Sequence, residues 1–229
     1  MNKYFRKIDN KIYLNKYYLN IYHNMEKNRK LYSVFKSEAE KTEIIINNVL
    51  LMLSSRIYID ENKHKQALID YASNKKKLVT NDDNTYIITA NNGDKYAIKI
   101  FYQKILSTGK QSLISEFVKE YESARKIIIA SSFNNKTADF ATKNGAQIFP
   151  EGYMLRDLVA QDDQPIFELL SPQEIAVIKA EYGIDTHNAP KITRQDAVYK
   201  YFNLKKDDLV RVIELSPTSG LIVTYQVVG

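Results

Sequence analysis

Two runs rich in β-branched residues close the sequence, and they constrain its fold more than any other feature. The runs cover residues 209–213 and 221–228, and β-branched side chains favour strands. Pro217 and Gly220 lie between the runs and suit a tight turn. The sequence therefore predicts a β-hairpin at this end of the chain.

A short helix is predicted just before the hairpin. Val198, Tyr201 and Phe202 are three and four residues apart or adjacent, so they share one helix face. Thr193 and Asp196 predict a capping box with Thr193 as the N-cap. Residues 190–229 contain no Cys, no metal-ligand spacing and no nucleophile beside a base. This pattern is typical of a packing module that holds a partner.

Residues 190–229 also follow the motif of a known family, which runs L-P-R-I, D-P-V-A-x-Y-x-G, G-x-V-V-K-I-x-R-x-S-E-T-x-G and Y-R. The matching residues are Pro190, Ile192, Asp196, Val198, Tyr201, Leu204, Val210, Val212, Ile213, Ser216, Thr218, Gly220 and Tyr225. Upstream, residues 168–172 match the family's H-E-L-V-P. On these residues the segment resembles the C-terminal assembly domain of the fifth common subunit of nuclear RNA polymerases and of its archaeal counterpart.

The resemblance implies a docking role. All of the matching residues except Leu204 and Ile213 are expected to contact the partner, which in this family is the largest polymerase subunit. The chain departs from the motif at Lys191 (Arg in the family), Ala197 (Pro), Asn203 (Gly), Gln226 (Arg), and at Glu214 or the leucine beside it (a basic residue). Two of these changes, at Gln226 and at Glu214 or the leucine beside it, reduce the positive charge of the expected docking surface.

Upstream, the order of elements predicts an α/β domain. A buried helix is predicted over 42–54, a second helix over 61–71, and a hairpin of 86–90 and 96–102 joined by 91–94. A helix over 115–123, a strand over 126–130, a helix over 137–143 and a strand over 146–149 follow. This order is similar to the family's jaw domain, whose fold resembles type II restriction endonucleases.

The predicted organisation is α+β with two domains and an extension. We expect a basic, Tyr-rich extension at 1–41, a jaw domain at 42–160 and a small assembly domain with a β-hairpin at 161–229. A helix of the assembly domain is predicted from Ser171, with Pro172 at its first position, Glu174 completing a capping box and Gly183 ending it.

The excess positive charge is confined to one end of the chain. Residues 1–41 contain ten Lys or Arg and four Asp or Glu, whereas the remaining residues contain twenty-three of each. The extension is therefore interpreted either as an arm that binds nucleic acid through Lys and stacking Tyr, or as an amphipathic helix that packs on a neighbour. Within the jaw domain, Lys136 and Lys143 are the predicted DNA-proximal residues.

Catalysis is not expected. Endonucleases of this fold need an acid followed by an acid-x-Lys pair on a strand, but Ala97 occupies the position of that acid in the strand ending Ile98, Lys99. The three His residues have no ligand spacing, there is no Cys, and no Gly-rich phosphate loop is present. We therefore expect no cofactor, no metal and, since no apolar run approaches the ~20 residues of a membrane span, no membrane contact.

The resemblance implies a non-catalytic subunit of a multisubunit DNA-dependent RNA polymerase that docks on the largest subunit and positions downstream duplex DNA. The alternatives are a stand-alone DNA-binding or nuclease-like protein that uses the basic arm, and a polymerase-associated adaptor. Frequent Lys, Asn, Ile and Tyr suggest an AT-rich genome, such as that of a large DNA virus or of a protist. The expected location is the nucleus, or a cytoplasmic viral factory and virion.

Overall fold

The structure is a computed structural model that describes residues 36–59, 64–81, 84–156, 164–184, 187–193, 196–216, 218 and 220–229. The described elements all belong to one compact unit, Glu38–Gly229. Most of the predicted extension, 1–41, lies outside the described residues.

The described chain begins with a long buried helix and a short strand pair. Helix α1 (Glu38–Ser55) leads into strand β1 (Ile57–Ile59), which pairs antiparallel with β2 (Lys65–Ala67). Helix α2 (Tyr71–Lys76) follows. The prediction of a helix over 61–71 is therefore wrong. Residues 65–67 pair with β1 instead, and Asp70 accepts a hydrogen bond from Ser73 N at 2.7 Å, so the helix begins at Tyr71.

A mixed five-stranded sheet forms the centre of the upstream part. Its strands, in spatial order, are β3 (Val79–Asn81), β4 (Thr85–Thr89), β5 (Lys95–Ile105), β6 (Arg125–Phe133) and β7 (Ala146–Pro150). The first three pair antiparallel and the last three parallel. The predicted hairpin of 86–90 and 96–102 and the strands over 126–130 and 146–149 are confirmed.

Helices cover both faces of this sheet. Helices α3 (Leu113–Glu120) and α4 (Asn135–Lys143) are the crossovers between the parallel strands, and they share one apolar cluster with one sheet face. Helix α1 and the short α5 (Glu151–Met154) pack against the other face. Both faces of the sheet are therefore covered by apolar side chains of the helices.

A second sheet contains the C-terminal segment. Its elements are β8 (Ile166–Leu169), α6 (Pro172–Tyr182), β9 (Lys191–Ile192), α7 (Ala197–Phe202), β10 (Leu209–Ser216) and β11 (Gly220–Val228). The strand order is β8-β10-β11-β9, with β11 and β9 parallel and the other pairs antiparallel. The predicted hairpin is confirmed as β10 and β11, and the α+β class is confirmed with it.

The capping residues at the N-termini of α6 and α7 can be compared with those predicted. Ser171 accepts from Glu174 N at 3.3 Å, its own N donates to Glu174 at 2.8 Å, and Gly183 ends α6 with φ 63°, all as predicted. For α7 the predicted N-cap, Thr193, is wrong. Asp196 occupies the N-cap position, and its carboxylate accepts from Thr193 N at 2.7 Å rather than from the helix.

Polar contacts join the two sheets through their helices and loops. Arg56, just after α1, donates to carbonyls at the end of α7. Lys65 of β2 forms a 2.5 Å ion pair with Glu174 of α6, and Gln147 of β7 donates to Asn203 at 2.6 Å. The division at residue 160 into jaw and assembly domains remains a prediction.

Candidate docking surface

The hairpin of β10 and β11 is held between two apolar clusters at its base. On one face, Val210, Val212 and Val228 pack with Ile192 and Leu204. On the other face, Leu209 and Val227 pack with a cluster that includes Leu170 and Ile178. Because alternate residues of a strand point to opposite faces, these two sets account for the β-branched residues of the base.

The distal half of the hairpin extends beyond both clusters. Leu221, Ile222 and Val223 are 52%, 36% and 40% exposed, and Ile166 of β8 is 41% exposed. The register places Ile213 opposite both Val223 on β11 and Ile166 on β8. The end of the sheet therefore carries large apolar side chains on both faces: Ile166, Ile213, Leu221 and Val223 lie on one face and Ile222 on the other. We call these five residues the hairpin patch.

An open groove adjoins the hairpin patch along β11. Residues of the loop after α6 form one wall and residues of β11 form the other. The lining residues are Tyr182, Ile184, Asn188, Ala189, Pro190, Val223, Thr224 and Tyr225. The Tyr182 ring lies 6.5 Å from that of Tyr225, centroid to centroid. Aromatic walls of this kind supply large rigid contact area at low entropic cost, which suits partner binding.

The positive charge of Arg211 lies next to the groove residue Tyr225. Arg211 pairs with Glu168 on the neighbouring strand at 3.0 Å, and its guanidinium is 6.0 Å from the Tyr225 ring centroid. Burial lowers the pKa of Arg211, but its hydrogen bonds and Coulombic attraction to Tyr225 and Glu168 outweigh that effect and raise the pKa overall. Arg211 therefore stays charged and orients Tyr225 rather than exchanging protons.

The eleven residues predicted to contact the partner separate into three groups. Ile192, Val210 and Val212 are buried in the sheet core. The exposed residues are Pro190, Asp196, Thr218 and Gly220, and the partly exposed ones are Val198, Tyr201, Ser216 and Tyr225. We assign the three buried residues the role of supporting the surface. Contact of the others with a partner remains a prediction.

The local backbone structure explains which residues occupy the turn of the hairpin. Gly220 has φ 72°, a left-handed conformation that favours glycine. Thr218 N donates to the Ser216 hydroxyl at 3.4 Å, and the two hydroxyls are 3.2 Å apart. These residues therefore hold the end of the hairpin in shape.

The sequence interpretation missed the residues that dominate the exposed surface. Leu221, Ile222 and Val223 were predicted only as part of a strand, and Tyr182, the last residue of α6, is 65% exposed. One sequence feature could have identified the strand residues. Three consecutive apolar residues in an antiparallel strand are all buried only if both faces of the sheet are covered. The C-terminal segment is too short to supply helices or strands that cover both faces.

The predicted DNA-proximal lysines are both exposed and lie on α4. Lys136 is in its first turn and Lys143 is its last residue, so they are separated by about 10 Å along the helix axis. Their contact with DNA remains a prediction.

Position 97 lies deep in the sheet. Ala97 of β5 is fully buried in the cluster beneath α3 and α4. In the part of the chain that the structure describes, no three His, Asp or Glu side chains lie close enough together to hold a metal ion. Across the same residues, no helix combines the length and the apolar character needed to span a bilayer.

Comparison with known proteins identifies the class. Residues 158–228 match the family model described as RNA polymerase Rpb5, C-terminal domain. The chain is 43% identical over 204 residues to "DNA-directed RNA polymerase subunit 5" of Acanthamoeba polyphaga mimivirus, which covers 89% of this chain and 100% of the relative.

More distant relatives match less of the chain. "DNA-directed RNA polymerases I, II, and III subunit RPABC1" of Caenorhabditis briggsae is 24% identical over 72% of this chain and 80% of its own length. "DNA-directed RNA polymerase subunit Rpo5" of Methanocaldococcus jannaschii is 36% identical over 28% of this chain and 82% of its own length.

The matched segment contains the whole second sheet and the hairpin patch, so the candidate docking surface lies within the part of the chain that matches the family model. The chain belongs to the RNA polymerase subunit 5 family. The family resemblance predicted from residues 190–229 is thereby confirmed.

Proposed function

We propose that this chain is a non-catalytic subunit of a multisubunit DNA-dependent RNA polymerase. The observation that carries the proposal is the 43% identity over the full length of the mimivirus subunit 5. By this proposal residues 161–229 dock on the largest subunit. Bond formation takes place on other subunits, and this chain contributes binding and positioning.

The hairpin patch supports the docking role. Soluble monomers rarely expose several large apolar side chains together, and such clusters mark interaction surfaces. The patch is bordered by the aromatic groove of Tyr182 and Tyr225 and by polar residues such as Glu214. An apolar centre with a polar rim is the usual anatomy of a subunit interface.

The upstream part, residues 42–160, is proposed to form the lower jaw beside downstream DNA. Any contacts it makes should be with phosphates, carry no sequence information and weaken with salt. Lys136 and Lys143 are the proposed contacts because both are exposed on one helix. The absence of a carboxylate at buried Ala97 supports a binding role over nuclease activity.

The mimivirus relative favours a viral source, so we propose that the protein acts in a cytoplasmic viral factory and is packaged in the virion. The nucleus is the alternative, supported by the similarity to the subunits from Caenorhabditis.

The proposal is tested by purifying the native protein through a tag and measuring what copurifies by quantitative mass spectrometry. We expect the largest polymerase subunit in a one-to-one ratio that survives high-salt washing. A copy number well below one per enzyme would instead identify an adaptor. Recovery of the chain without polymerase would overturn the proposal and favour the stand-alone DNA-binding protein.

A further inference from the structure

One edge of β11 is open over most of its length. On its inner side β11 pairs with β10 from Gly220 to Val227. On its outer side the only described strand is β9, which pairs with Val227 and Val228 alone. Within the described residues, no strand pairs with the outer edge from position 220 to 226.

The backbone groups that face outward can be identified from the hydrogen bonds at the base. Val228 N donates inward to Asp208 O at 3.0 Å, and Val227 N donates outward to Pro190 O at 2.8 Å. Since alternate residues of an antiparallel strand turn their N–H and C=O groups to the same side, Leu221, Val223 and Tyr225 direct theirs outward. Strand β11 thus offers three donors and three acceptors in line with β9.

The side chains along this edge are the exposed apolar ones. Leu221 and Val223 lie on one face and Ile222 on the other, and the groove lined by Tyr182 and Pro190 begins at Val223. The opposite edge strand, β8, has a single large exposed apolar side chain, Ile166. A long apolar open edge is a binding template unless something covers it.

We infer that the outer edge of β11, residues 221–225, binds an extended segment of a partner polymerase subunit as an added β-strand. The inference rests on the proposed function, which supplies the partner. The occupant has to be an extended chain, because a helix has no free backbone groups along its length to pair with Leu221, Val223 and Tyr225. Its alternate side chains should be apolar, to cover Leu221 and Val223 and to enter the groove.

The test uses two variants of one residue in the full chain. Val223→Pro removes the outward N–H donor and places a ring at the edge, but leaves the pairing with β10 intact because proline is tolerated on the open side of an edge strand. Val223→Thr keeps the donor and the β-branched shape. The measured quantity is the amount of each variant that assembles with the polymerase in competition with the unmodified chain.

We expect Val223→Pro to assemble about tenfold less well, since it loses a backbone hydrogen bond and blocks the approach of the strand. Val223→Thr should remain within about threefold of the unmodified chain. Equal losses for both variants, or no loss for either, would overturn the inference. If the unmodified chain does not assemble with polymerase at all, the proposed function fails instead.

Hydrogen exchange gives a second measurement that needs no variant. The amides of Leu221, Val223 and Tyr225 should exchange fast in the isolated chain and become protected in the assembled polymerase, whereas Ile222 and Thr224, which face β10, should be protected in both. Protection of all five amides already in the isolated chain would show that a second copy or another segment of this chain occupies the edge, and would contradict the inference.

Discussion

At the scale of single residues, Arg56 is a buried cation that binds main-chain carbonyls of another element. The residue is 4% exposed, and it donates from Nε to Tyr201 O at 2.7 Å and from Nη2 to Lys200 O at 3.1 Å. Both carbonyls lie in the last turn of α7, and the Lys200 carbonyl also accepts from Asn203 N at 3.4 Å. Burial lowers the pKa of Arg56 to about 10, while nearby Tyr96 and Tyr201 oppose that shift. The side chain therefore remains charged at neutral pH.

Replacing Arg56 should loosen the connection between the two sheets. Arg56→Met is expected to reduce the free energy of unfolding by about 2–3 kcal/mol, because it removes the hydrogen bonds that the charged guanidinium donates to the carbonyls of Tyr201 and Lys200. Arg125→Met serves as the control. Arg125 pairs with Asp94 at 2.7 Å on the surface, and an exposed pair contributes at most about 1 kcal/mol. Urea unfolding measures both, and equal losses would contradict this role of Arg56.

Asn203 shows how a departure from the family motif keeps the local structure. The family has Gly there, and Asn203 has φ 52°, a left-handed conformation in which Gly and then Asn are most readily accommodated. Its side chain also accepts a hydrogen bond from Gln147 at 2.6 Å. The substitution therefore preserves the end of α7 and adds a contact with the larger sheet.

At the scale of elements, helix α6 is fixed at its N-terminus by Glu174. The carboxylate accepts hydrogen bonds from Ser171 N at 2.8 Å and forms an ion pair with Lys65 of β2 at 2.5 Å. Burial alone would raise the pKa of Glu174, but the hydrogen bonds from Lys65 and Ser171 outweigh burial and hold the pKa below its usual value. The ionised carboxylate is therefore the form that the folded state favours.

This preference predicts a pH dependence. Because the pKa of Glu174 is lower when folded, its stabilisation is present above the unfolded value of about 4.3 and is lost as the pH falls through the folded pKa. Glu174→Gln keeps a capping acceptor but removes the charge, and should cost about 0.5–1 kcal/mol at pH 7. The difference from the unmodified chain should shrink steadily below about pH 5.

The matched control is Glu181→Gln, an exposed carboxylate near the other end of α6. A negative charge near a helix C-terminus does not stabilise the helix, so this change should leave the free energy of unfolding the same or slightly higher. Chemical unfolding at several pH values between 3 and 7 gives both comparisons. A Glu174→Gln effect that persists unchanged at pH 3 would rule out the charge as its cause.

Elements marked by capping or turn residues were predictable from the sequence. Strands that form only because a distant strand pairs with them were not. The start of α6 followed from Ser171, Pro172 and Glu174, and the hairpin followed from β-branched runs around Gly220. The helix predicted over 61–71 was wrong because β1 supplies a strand partner for 65–67. Strand β8 was not predicted at all, since it has no alternating pattern and takes its place by pairing with β10.

The docking surface was only partly predictable for a similar reason. The motif identified the segment, but its apolar positions include core residues such as Val210 and Val212. A β-branched run has the same appearance whether both sides of the strand are covered or not. The strand order, which leaves the outer edge of β11 open from Leu221 to Tyr225 among the described residues, follows from long-range pairing and not from local sequence.

At the scale of the whole molecule, the charge distribution separates two ways of binding DNA. Residues 1–35 contain eight Lys or Arg and two Asp or Glu, and residues 36–229 contain equal numbers of both kinds. Non-specific affinity for duplex DNA depends on the number of phosphates that cationic side chains neutralise. The isolated chain should therefore owe such affinity to its first 35 residues, whereas positioning of DNA by the jaw should require the assembled polymerase.

Changing the eight Lys and Arg of residues 1–35 to Gln tests this distinction. The isolated, unmodified chain should bind a non-specific duplex at low salt, with log K falling by about 0.9 per neutralised phosphate for each tenfold rise in salt. The neutralised variant should show no measurable binding by fluorescence anisotropy. The control, Lys136→Gln with Lys143→Gln, should change the affinity of the isolated chain by less than about threefold, because a neutral surface gives two lysines little support. A neutralised variant that binds as tightly as the unmodified chain would place the DNA-binding surface on the described fold, and would contradict the assignment of this affinity to the first 35 residues.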